Sequence, residues 1–344
     1  MGPLQPLLAT LALMLGATAA ADTGLGEVVQ RAHANFKGLD EGETAQYIPA
    51  LARADSDHFG LVAMTVDGKI YAAGESEVAF AIMSAAKPFT LALLLQQQGR
   101  EAAPELIGVE PTGLPFNALS GIDRSRKEPL NPMVNAGAIT AVSLLKVDSP
   151  EQRWALILDY YGDFAGEPLA LMGEVYQSVS TSNYNNRALL NLLQVNGWLR
   201  ADPASTLDVY NKQSSVAVTA RQLAAMGATL ANGGVNPLTG KQVLDANLVD
   251  EVLSVMMLSG FYDESGRWAY DVGLPAKSGV GGGIVAVVPG RMALAAYSPK
   301  LSEAGNSVRG MRAIAQLAGE LGLGMFRSLP PGSAALQAAP ASNQ

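Results

Sequence analysis

Lys277-Ser278-Gly279-Val280-Gly281-Gly282-Gly283-Ile284-Val285-Ala286-Val287-Val288-Pro289-Gly290-Arg291-Met292-Ala293-Leu294-Ala295-Ala296-Tyr297 decides the fold of this 344-residue chain. Its second half reads as a hairpin, two apolar runs flanking the turn Pro289-Gly290-Arg291. Its first half is a glycine cluster in front of a strand. Dinucleotide folds place their glycines after a strand, opening a helix, so that order argues against one. The glycines fit either a close approach of two backbones or a bulge preparing the hairpin.

A second hairpin signal lies near the other end, Gly60-Leu61-Val62-Ala63-Met64-Thr65-Val66, the turn Asp67-Gly68, and Lys69-Ile70-Tyr71-Ala72-Ala73-Gly74. Between the hairpins, helical stretches alternate with Asn, Pro and Gly loops. Spacing predicts helices over 24–53, broken at Gly38 and Gly42, over 84–98, closed by Gly99, and over 307–321. Strands near both ends with helices between imply an α+β sandwich: one antiparallel sheet from N- and C-terminal parts, flanked by helices, with a helical subdomain at about 108–260. The cleft between sheet and subdomain is the natural place for a site.

Composition removes whole classes of chemistry. The chain has no Cys and two His, which excludes disulfides, thiolate nucleophiles and cysteine zinc sites and leaves no metal centre expected. Neither His33 nor His58 stands beside a Gly-x-Ser-x-Gly signature, so each reads as a surface or helix-end residue. With 23 basic and 31 acidic residues the net charge is −8 and no basic run exists, which argues against nucleic acid and for a small-molecule partner. No cofactor motif is present.

The first 21 residues carry no charged side chain and hold a short apolar run, Leu7 to Leu15, followed by small residues through Ala21. A secretory signal is expected over 1–21, retained or cleaved, with a membrane anchor as the rival reading. The expectation is a periplasmic or secreted protein with a catalytic domain over 22–328, no membrane span after cleavage, and a disordered tail over 329–344.

Without His or Cys, a hydrolase can activate a serine through a lysine whose pKa is lowered by burial. Ser84-Ala85-Ala86-Lys87 has the spacing that puts both on one helix face, and so does Ser143-Leu144-Leu145-Lys146. Context separates them. Ser84 opens its helix, where unpaired amides can hold an oxyanion, although a plain N-cap would look the same. Lys277-Ser278-Gly279 at a strand edge is similar to the Lys-Thr-Gly element of penicillin-recognising enzymes.

These stretches, taken together, resemble the serine-dependent glutaminases, which share the serine β-lactamase fold. The matching segments are Tyr47-Ile48-Pro49, Ser84 to Pro88, Gly108 to Gly113, Asn131 to Ile139, Leu230 to Gly234, Tyr262-Asp263, Val272 to Val280 and Gly305 to Val308, in family order. The resemblance implies hydrolysis of glutamine to glutamate and ammonia through an acyl-enzyme. It implies Ser84 as nucleophile, Lys87 as base, Tyr262 as proton relay, and the Ser84 and Val280 amides as oxyanion hole. Substrate contacts map onto Tyr47, Asn135, Asn186 and Tyr210, no cofactor is implied, and the family's habit implies a homodimer or homotetramer.

One position departs from the pattern. The family places a glutamate seven residues before the asparagine matching Asn186, to receive the substrate α-ammonium, and here that residue is Val179. Leaving such a charge unpaired costs on the order of 2 to 5 kcal/mol. An amine-blocked glutamine would suit Val179 better than free glutamine, unless the alignment slips and another acid, Glu174 being nearest, takes the place. A β-lactamase-like or peptidase-like acyltransferase and a ligand-binding pseudoenzyme are the rival functions.

Overall fold

A computed structural model of the chain describes residues 24–122 and 128–327. The leader and the tail expected from the sequence lie outside the described residues.

Both hairpins form where their turns place them. They are β1 (Gly60–Thr65) with β2 (Ile70–Gly74), and β7 (Gly283–Val288) with β8 (Met292–Tyr297). Strand β6 (Ala276–Ser278) adds to β7, giving the five-stranded antiparallel order β2-β1-β8-β7-β6. Pairing of β1 with β8, Val62 opposite Ala295, joins the two ends of the chain.

The period-two alternation of a strand sorts side chains onto two faces. Val62, Met64, Val285, Val287, Ala293 and Ala295 face one core, which the helices Lys87–Gln98, Asn135–Leu144, Pro150–Ala165 and Ala220–Ala231 complete. Leu61, Ala63, Ile284, Ala286, Leu294 and Ala296 face another, covered by the helix over 24–36 and the helix Val308–Leu321. With both faces covered, β1, β7 and β8 are apolar almost throughout and their hairpins are easy to read. Helix Ala220–Ala231 belongs to the helical stretch of the sequence yet packs on the sheet. A Cβ at Gly227 would stand 2.5 Å from Val285, so only glycine permits that approach.

A small three-stranded sheet was invisible in the sequence: β3 (Phe80–Ala81), β5 (Val216–Val218) and β4 (Ala170–Leu171), in the order β3-β5-β4. Its strands are too short for alternation to register. The Ile82 amide donates to the Val216 carbonyl at 2.9 Å, which ties the segment entering Ser84 to β5, the strand that follows the helix Pro203–Ser214. His33 is buried, stacked on Phe59 and bonded to its carbonyl oxygen, and His58 lies 3.7 Å from Asp55.

Candidate active site

Ser84 sits in a 3-10 turn, Met83–Ala86, that runs directly into the helix Lys87–Gln98. Met83 has φ 48°, a left-handed backbone that bends the chain sharply between β3 and the serine. Tyr262, in the turn Tyr262–Glu264, has φ 57°. Non-glycine residues held there cost on the order of 1–3 kcal/mol and mark positions that the surroundings over-determine.

The glycine cluster makes the close approach that its composition allowed. A Cβ at Gly279 would lie 2.7 Å from the Ile82 carbonyl oxygen and 3.2 Å from the Ser84 amide nitrogen, and one at Gly281 would lie 2.4 Å from the Ala81 carbonyl oxygen. The segment leaving β6 is thereby pressed onto the turn that carries Ser84, and Val280 lines the same cavity as Ser84. We expect Gly281→Ala to lose about 1–3 kcal/mol by overpacking, read as a fall of several degrees in the thermal midpoint; an unchanged midpoint would contradict the contact.

Lys87 is buried, its Nζ donating to Asn135 Oδ1 at 2.7 Å and to the Met133 carbonyl at 3.2 Å. Burial lowers its pKa to about 7, because the charged form loses its hydration and no carboxylate replaces it. Asn135 opens the helix Asn135–Leu144 and donates through Nδ2 to Asn186 Oδ1 at 2.8 Å. The relay fixes the Asn186 amide with its own NH2 uncommitted to either partner.

The Tyr262 hydroxyl interacts with the side chain of Ser84 and donates to the Ser278 carbonyl at 3.2 Å. Its pKa is pushed up to about 12 by burial, so it stays a neutral donor near neutrality. Lys277 supports it from behind. The Lys277 ammonium nitrogen lies 4.1 Å from the Tyr262 ring centroid and donates to the Gly260 and Ser278 carbonyls at 2.8 and 2.7 Å. Burial, and secondarily Lys87, lower the pKa of Lys277 well below its ordinary value. Ser278 in turn bonds Asn306, whose Nδ2 donates to Glu264.

One cavity of about 100 Å³ gathers Ser84, Val280, Tyr47, Asn135, Val179, Asn186 and Tyr210. Tyr262 stands behind Ser84, and Lys87 reaches the cavity wall through Asn135. Val179, on the helix Gly173–Ser182, is buried beside Val175, Met83 and Val280. Glu174 is paired with Arg53 at the surface, and among the described residues the cavity lining holds Val179 and no Asp or Glu. Sequence reasoning missed Phe116, whose ring packs 4.5 Å from that of Tyr262, Asn183, Ser182 and Ser214 in the lining, and the support from Lys277. Lys277 and Asn306 lay inside matched segments, and the fixed Lys-Ser-Gly triplet was the available signal. Ser143 donates to the Thr140 carbonyl inside its helix, accepts from the Arg200 amide and does not line the cavity.

The family model for Glutaminase matches residues 42–326. The chain is 48% identical over 303 residues to the glutaminase of Escherichia coli O81 (strain ED1a), covering 88% of this chain and 98% of that one. It is 45% identical over 309 residues to the glutaminase of Mycobacterium ulcerans (strain Agy99), covering 90% and 97%. Among solved structures, a probable glutaminase superposes with TM-score 0.87 at 47% identity, covering 88% of this chain and 98% of that one. A probable glutaminase from Bacillus subtilis, complexed with 6-diazo-5-oxo-L-norleucine, superposes with TM-score 0.79 at 30% identity, covering 88% and 96%. These likenesses, over a serine β-lactamase-like arrangement of sheet and helices, show that the chain belongs to the Glutaminase family.

Proposed function

We propose that this protein hydrolyses the side-chain carboxamide of glutamine to the carboxylate and ammonia through an acyl-enzyme on Ser84. The observation that carries the reading is Ser84 on the wall of one small cavity, with Tyr262 against its side chain and the buried Lys87 bonded to the lining residue Asn135, in a chain of this family.

In the first half-reaction Ser84 Oγ attacks the amide carbon while its proton passes to Lys87 Nζ, which is largely unprotonated above about pH 7. The oxyanion forms between the amides of Ser84 and Val280. Ser84 is near the start of its 3-10 turn, so its amide has no intrahelical partner, and the contacts at Gly279 hold the two strands of backbone together. Collapse breaks the C–N bond, and the nitrogen leaves as ammonia with a proton delivered through Tyr262. Water then attacks the Ser84 ester, giving the carboxylate and returning the proton to the serine. Val280 acts through its backbone, while Tyr47, Asn135, Asn186 and Tyr210 position the substrate.

The pH profile tests the base. The active form of Lys87 is the deprotonated one, so kcat/KM for ammonia release is expected to rise with pH and reach half its plateau near pH 7. Tyr262 titrates near 12 and adds no falling limb below that. A profile flat between about pH 5.5 and 8.5 would remove Lys87 from the role.

A further inference from the structure

We infer that the preferred substrate is a glutamine whose α-nitrogen is acylated, such as a C-terminal glutamine residue of a peptide, rather than the free amino acid. The inference rests on the amidohydrolase reading above and concerns the far end of the same cavity.

Among the described residues, the cavity beside Ser84 is lined by no Asp or Glu. Its wall at Val179 is an apolar surface continuous with Met83, Ile48 and Val280. An α-ammonium brought there would shed its water with no anion to replace it, and Lys87 behind Asn135 supplies only a like charge when protonated. The lining offers weaker partners. The side-chain amide oxygens of Asn117 and Asn185 are neutral acceptors that suit the single N–H of an amide and fall short of the three of an ammonium. The α-carboxylate fares differently, because the Asn186 amide and the Tyr210 hydroxyl are donors.

There is also room for the substituent. The cavity adjoins a cleft of about 420 Å³ that shares Tyr47, Phe116 and Val280 as walls. Free glutamine would leave that cleft empty. Glu43 and Glu303 line it, which favours a neutral or basic extension over an acidic one.

The test compares ammonia release from free glutamine, Nα-acetylglutamine and a dipeptide ending in glutamine, using the full chain and its Val179→Glu variant. The wild type is expected to show kcat/KM at least roughly 30-fold higher for the acylated substrates, the size of the penalty for an unpaired buried charge. Val179→Glu is expected to move the ratio toward free glutamine by a similar factor. A wild type that favours free glutamine, or treats the substrates alike, overturns the inference whether or not the variant folds, and leaves the amidohydrolase reading standing. A ratio unmoved in a folded Val179→Glu enzyme removes Val179 as its cause and overturns the inference as argued. Release from none of the substrates would overturn the amidohydrolase reading itself, and this inference with it.

Discussion

Ser84→Ala is expected to abolish ammonia release, lowering kcat by roughly a millionfold if it behaves as loss of a serine nucleophile does elsewhere. The fold should survive, since the serine is small, sits at the cavity edge and is no helix cap. Substrate binding should therefore persist, read as ligand-induced stabilisation in a thermal melt. Residual activity within about tenfold of wild type would show that another group attacks the amide. Loss of activity together with loss of the folded transition would show only that Ser84 is needed for the fold.

Lys87→Met comes second, with an expected fall in kcat of roughly a hundredfold to ten-thousandfold, the range for losing a positioned general base. The rising pH limb should vanish with it. Stability supplies an independent check whose sign can be worked out. The folded pKa of about 7 lies below the ordinary 10.5, so the unfolded chain binds more protons between these values and wild-type stability climbs with pH across that window. Methionine does not titrate. The stability of Lys87→Met relative to wild type should thus be greatest and constant below about pH 7, shrinking as pH rises toward 10.5. A difference that grows with pH would mean that Lys87 is held charged in the native state.

How much of this was legible beforehand depends on the kind of residue. The two hairpins stood out because β1, β7 and β8 are covered on both faces, which makes them apolar runs bounded by Asp67-Gly68 and Pro289-Gly290. The strands Phe80–Ala81 and Ala170–Leu171 left no trace, because two residues cannot show a period. Ser84 and Lys87 carried a spacing that Ser143 and Lys146 duplicate, and the tertiary setting adds to the helix-start context that separates them: Lys87 meets Asn135, while Ser143 donates within its own helix. Tyr262 could not be found from composition, since it acquires its place from a left-handed turn and from Lys277 beneath its ring. Resemblance supplied it. The same resemblance made Val179 conspicuous as an absence, and the structure turns that absence into a physical surface with Glu174 accounted for elsewhere.

A covalent bond to Ser84 can be trapped by an electrophilic glutamine analogue. The full chain would be treated with 6-diazo-5-oxo-L-norleucine and with its Nα-acetyl derivative, then digested and mapped by mass spectrometry. The expected result is an added mass on the peptide carrying Ser84, suppressed by excess Nα-acetylglutamine and absent from Ser84→Ala. Label confined to another residue, or no label from either reagent on a protein that releases ammonia, would contradict it.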